Sequence, residues 1–134
     1  MTVLEEGLYS YLASYSGLTA LVSTRIYPLR MPADATLPCV TYQRISTPRT
    51  LTMDTSGATG DLTSPRIQFD AWDTTQSSVK AITDQLRAAL NGKTGSTGGV
   101  TIRASMANDE AATYESEAQL YRSRSDYIIF VEEA

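Results

Sequence analysis

The stretch Arg66-Ile67-Gln68-Phe69-Asp70-Ala71-Trp72 alternates apolar and polar residues and runs directly into an amphipathic helix. In an extended chain Ile67, Phe69 and Ala71 share one face, and Gln68, Asp70 and Trp72 share the other. The period then changes to that of a helix: Val79, Ile82, Leu86, Ala89 and Leu90 fall on one stripe. Asp73, Thr74 or Thr75 can accept hydrogen bonds from the first helical N–H groups, and Asn91-Gly92 ends the run. A strand with one apolar face, followed at once by a helix with one apolar stripe, confines the chain to a layered α+β fold in which the stripe closes over the strand.

The remaining elements follow from the same two periods. Thr2-Val3-Leu4-Glu5 has the form of a capping box, and Leu4, Leu8, Tyr11, Leu12 and Tyr15 continue a one-sided helical stripe that Gly17 is expected to stop. Leu18, Leu21 and Val22 suggest one further helical turn. Pro28, Pro32 and Pro38 turn Ile26 to Leu37 into a surface crossing rather than a helix. Cys39 to Ile45 is rich in β-branched and aromatic residues and reads as a strand. Val100 to Ala104 and Leu120 to Val131 read as two more.

Between the strands lie two polar segments, Ser46 to Ser64 and Ser105 to Glu117, in which neither period is visible. Loops of this length in a small domain are uncommon and usually either functional or disordered when free. The first has a second reading, as the extended tip of a hairpin joining two antiparallel strands. The expectation is one domain over residues 1–134: a mainly antiparallel four-stranded sheet, two helices packed on one face, and long polar inter-strand loops.

The residues for chemistry are sparse. With 134 residues and no histidine, the chain has neither histidine triads nor histidine metal sites. Cys39 is the single cysteine, which excludes an internal disulfide and a cysteine zinc cage and reads as a small buried hydrophobe. A metal-dependent nuclease needs carboxylates converging near a lysine. Lys80 and Lys93, on a helix and in a linker, are the only lysines. Gly92-Lys93-Thr94 imitates the end of a phosphate-binding loop, but Arg87 stands where the pattern needs glycine, and a helix precedes it where a strand should. A catalytic site, a metal and a cofactor are therefore not expected.

Eleven basic against fifteen acidic residues give a net charge of −4, which argues against nucleic-acid binding as the main task. Arg122 and Arg124 share one strand face as solvated or subunit-contacting residues. The apolar runs are too short to cross a membrane, and Glu5 and Glu6 stand where a signal peptide would be basic.

Taken together, the N-terminal helix, Leu18-Thr19-Ala20-Leu21-Val22, Arg25-Ile26-Tyr27-Pro28, the Leu37-Pro38 entry to a strand reaching Tyr42 and Arg44, the Arg66–Trp72 strand with its helix, and a closing aromatic strand resemble the tail completion family of long-tailed phages, also called tail terminators or head-to-tail joining proteins. Prophages and gene transfer agents carry similar proteins. The resemblance implies a non-enzymatic virion protein at the head–tail junction, assembled in the host cytoplasm. Its expected form is a homo-oligomeric ring, typically a hexamer, that caps the tail tube protein and meets a head connector or stopper protein. DNA would pass through the lumen without specific binding, and no membrane is involved.

Within that picture the candidate contacts with other subunits or the tail come from three places. The first polar segment offers Arg49, Met53, Asp54 and Asp61. The polar face of the Arg66–Trp72 strand offers Gln68, Asp70 and Trp72. The second polar segment and the last strand offer Asp109, Glu110, Tyr114, Arg122 and Arg124. A reading from another class is a small intracellular ligand-binding or regulatory α+β domain built on the same sheet.

Overall fold

The structure, a computed structural model, describes residues 3–23, 25–29, 36–46, 49–50, 61–97, 100–117 and 119–133. Among the described residues, three helices and eight strands follow in the order α1 (Val3–Ala13), α2 (Ser16–Val22), β1 (Ile26–Pro28), β2 (Cys39–Ser46), β3 (Arg49–Thr50), β4 (Asp61–Thr63), β5 (Arg66–Asp73), α3 (Gln76–Leu90), β6 (Gly95–Thr97), β7 (Val100–Glu115) and β8 (Leu120–Glu133). All eight strands belong to one sheet. The expected α+β architecture is present, with three helices in place of two and more strands than four.

Two hairpins build the sheet. β2 and β5 pair antiparallel, with Val40 opposite Ala71 and Tyr42 opposite Phe69. The pairing continues beyond them, with Arg49 opposite Thr63 and Thr50 opposite Leu62. The two flanks of the Ser46–Ser64 segment therefore pair as hairpin arms, as its second reading had it; residues 51–60 lie outside the described residues.

The second hairpin, β7 with β8, is the larger one, and it corrects the expectation of a loop. Ser105 to Glu115 is strand, paired from Ser105–Ile129 to Glu115–Leu120. A register shift between Ala107 and Asp109 adds a residue to β7. That extra residue breaks the two-residue period and hides the strand from pattern reading. β8 sits at the centre, joined on one side to β7 and on the other to β5 and then β4. The Ile26–Leu37 crossing also contains a strand, β1, parallel to β2 with Ile26 opposite Val40.

The helices cover one face. Leu4, Leu8 and Leu12 of α1, Leu18 and Val22 of α2, and Val79, Ile82, Leu86 and Leu90 of α3 are buried in one cluster with Val40, Ile67, Phe69, Tyr127, Ile129 and Val131 of the sheet. The stripes predicted for the first and third helices both point inward. Burial of each large side chain contributes about 1.5–3 kcal/mol as an upper figure.

Local caps agree in part with expectation. The Thr75 hydroxyl accepts from the Ser78 N–H at 3.3 Å, and Gly92, at φ +82°, follows the last turn of α3. α1 instead ends at Ala13, before Gly17. Gly17 lies inside α2, where the end of the Gln85 side chain of α3 occupies the space a Cβ would take. Of the expected capping box, Thr2 lies outside the described residues, and the Glu5 carboxylate pairs with Arg44 of β2 at 2.7 Å.

Candidate functional site

The face of the sheet away from the helices carries most of the describable candidates. Alternation along β5 sends Arg66, Gln68, Asp70 and Trp72 to this side, and the registers place partners beside each. Reading from β2 to β7, one row is Thr41, Asp70, Arg124 and Ala111, and the next is Cys39, Trp72, Arg122 and Thr113. The row on the other side is Gln43, Gln68, Asp126 and Asp109. These polar rows lie on one platform because four strands share a single alternation.

Within the platform the polar groups are largely joined to one another. Gln68 Nε2 donates to both Asp70 oxygens at 3.2 and 3.0 Å. Arg122 pairs with the same carboxylate at 3.2 Å, and its guanidinium lies 5.5 Å from the centroid of the Trp72 ring. The Trp72 indole N–H donates to Thr41 Oγ1 at 3.1 Å. Arg66 pairs with Asp126 at 3.3 Å. Gln68, Asp70 and Asp126 retain 8, 7 and 4 % of their surface, so the long arginine side chains and neighbouring strands cover them even on the open face. Gln68 and Asp70 thus spend their hydrogen bonds inside the subunit, while Trp72 and Arg122 stay half-buried at its surface.

The platform is not polar throughout. Beyond the Gln68 row lie Ile45 of β2, Ile128 of β8 and Met106 of β7, the last two paired directly. Ile45 is 45 % exposed and Met106 48 %. Neither was singled out from the sequence, because Ile45 stands at a register shift and Met106 in a segment without visible period.

At the opposite end, Trp72 and Tyr114 line a cleft of about 490 Å³ with Glu115, Ser116 and Glu117 at the turn of the second hairpin. Tyr114 also packs on Tyr121, with ring centroids 4.9 Å apart. Glu110 faces the helices and binds Arg87 of α3 at 2.9 Å. Asp73, one of the possible caps, accepts from the Thr74 N–H at 2.7 Å and from the Ser78 hydroxyl at the start of α3.

The remaining candidates are placed by strand and register alone or lie outside the described residues. Arg49 lies in β3, Asp61 in β4 and Asp109 in β7, where Asp109 is opposite Asp126. Met53 and Asp54 lie outside the described residues.

Nothing in the arrangement assembles a reaction centre among the described residues. No group of three or more acidic or cysteine side chains converges as a metal site there. Burial pushes the Cys39 thiol up to about 11, the opposite of what an activated nucleophile needs. No helix of the described residues is long and apolar enough to cross a membrane. A platform of half-buried aromatic, arginine and exposed apolar side chains is instead the composition of a protein contact surface.

Comparison with known proteins agrees with that composition. The sequence model of a family described as "Tail completion protein gp17" matches residues 6–132. Among solved structures, the chain is similar to one in the "Virion of native gene transfer agent (GTA) particle", with a TM-score of 0.74 and 17 % identity. The match covers 97 % of this chain and 95 % of that one, so the folds agree over nearly their whole lengths. No curated protein sequence matches.

Proposed function

The chain belongs to the tail completion protein gp17 family and has a structural role in a virion tail, and from that premise we propose that it forms a homo-oligomeric ring that caps the tail tube, ends its growth and receives the head connector. The observation that carries the reading is the family match from residue 6 to residue 132, which reaches every strand of the sheet and all three helices and leaves out only the first residues of α1 and the last of β8. Six subunits is the expected number.

The physical arrangement suits such a role. A sheet backed by helices on one face and tied by ion pairs on the other is a stiff plate, able to hold its outline while neighbours dock. Met106 and Ile45 supply apolar contact at one end of the plate, and Trp72 with Tyr114 supplies it at the other. A net charge of −4 disfavours adhesion to a passing DNA backbone. The ring works by geometry, without catalysis.

Electron microscopy of the purified protein, alone and mixed with tail tubes, tests the proposal. Rings seated on tube ends, with tubes that no longer elongate, are the expected result. Monomers that leave tube growth unchanged would overturn it.

A further inference from the structure

The outer edge of β7 has hydrogen-bonding groups to give. Among the described residues β7 pairs with β8 along its length and with β6 only from Val100 to Ile102. Two hydrogen bonds fix which backbone groups face outward beyond that point. The Gly92 N–H donates to Ser105 O at 2.7 Å, so Ser105 faces away from β8. The Ile129 N–H donates to Pro65 O at 3.0 Å, so Ile129, opposite Ser105, faces away from β7. In an antiparallel ladder the direction alternates along each strand. The odd-numbered residues of β8 therefore face β5, and their partners Ala112 and Tyr114, opposite Ser123 and Tyr121, direct N–H and C=O to the free edge.

A groove runs beside this edge. Ala112 is on the helix side, opposite Ser123, whose hydroxyl accepts from Thr83 of α3 at 2.7 Å. Between β7 and α3 lies a cavity of about 190 Å³, with Val79 and Ala112 in its wall and Lys80 and Asp84 in its lining. A strand laid along β7 would bond to Ala112 and Tyr114 and drop one side chain into the groove. An edge strand beside a helix groove is a recurrent way to bind an extended chain.

Charge and backbone chemistry select the occupant. Residues 104–121 contain no lysine or arginine, and beside the Arg87-bound Glu110 they carry Glu115 and Glu117 at the hairpin end. Two β7 edges would bring these carboxylates together, and like charges facing across strands are destabilising. The β1 edge on the other side of the sheet is a poor partner as well. Arg25 and Leu29 bond toward β2, which leaves Ile26 and Pro28 facing outward, and Pro28 has no N–H.

We propose that the β7 edge, with the groove against α3, binds an extended, basic segment of a different protein as an added antiparallel or parallel strand, with an apolar side chain of that segment over Val79 and Ala112. The inference stands independently of ring formation, since it concerns one edge of one subunit.

A short peptide alternating valine with arginine, titrated into isotopically labelled protein at low salt, tests it through amide exchange. Protection of the Ala112 and Tyr114 amides, weakening as salt is added, is expected. Ala112→Pro removes an outward N–H that β8 does not use, and should weaken binding by about tenfold or more. The double substitution Glu115→Lys with Glu117→Lys, both at the exposed hairpin end, should weaken the arginine peptide and favour one alternating valine with glutamate. Absence of binding, equal binding of both peptides by the unchanged protein, protection confined to β1 or the helix-free face, or self-association through β7 would each overturn the proposal.

Discussion

Arg122 of β8 reaches diagonally, one row along, to Asp70 of β5 with Nε 3.2 Å from Oδ1, and the same carboxylate accepts from Gln68 while the same guanidinium covers Trp72. The pair is the hub of the helix-free face. Asp70→Ala leaves two donors without their acceptor in a largely covered position and should cost about 1.5–3 kcal/mol. Arg122→Ala should be milder, because the arginine is the more exposed partner. Urea unfolding of the two single variants and the double variant isolates the coupling; strict additivity would show that the two side chains act independently.

Leu86 is fully buried in the stripe that α3 turns to the sheet. Leu86→Ala should lower stability by about 2–5 kcal/mol through lost burial and the cavity left behind. An unchanged urea midpoint would contradict this helix orientation.

Tyr127 lies at the centre of the core, and burial pushes its phenol up to about 12. In the unfolded chain the group loses its proton near pH 10. Between about pH 10 and 12 the unfolded state therefore binds fewer protons than the folded one, and stability falls as pH rises. The full difference amounts to about 3 kcal/mol. Tyr127→Phe should make the alkaline limb of a stability–pH curve shallower; Cys39, whose thiol burial raises to about 11, and Tyr11 and Tyr42, whose phenols burial also raises, keep the rest of the slope.

Cys39 is fully buried with its thiol raised to about 11. A thiol reagent at pH 8 should label it only as the protein unfolds, because both access and thiolate are lacking in the fold. Rapid labelling of the native protein would place β2 differently.

Met106 and Ile45 are exposed, so Met106→Glu and Ile45→Glu should change monomer stability by no more than about 0.5 kcal/mol. If the apolar end of the platform is a subunit contact, the same variants should lose rings in light scattering or microscopy. Intact rings from both variants would move the contact elsewhere.

Local order along the chain decided a good deal. The alternation of Ile67, Phe69 and Ala71 and the stripe from Val79 to Leu90 are each set by one period, and both faces pack as that period requires. The Asn91-Gly92 stop is equally local, since a left-handed glycine ends a helix whatever surrounds it. The family resemblance rested on these blocks, and the residues between them added little to it. Tertiary structure decided the rest. Ser105 to Glu115 is strand because β8 offers a complete ladder, although its polar residues and extra residue leave no period to read. Gly17, which looks like a stop, is a point of contact because α3 arrives beside it. Gln68 and Asp70 are named by alternation as polar-face residues, but only the neighbouring strands bring Arg122 close enough to occupy them. Periodicity fixes which way a side chain points, whereas what it meets there depends on strands far away in the chain.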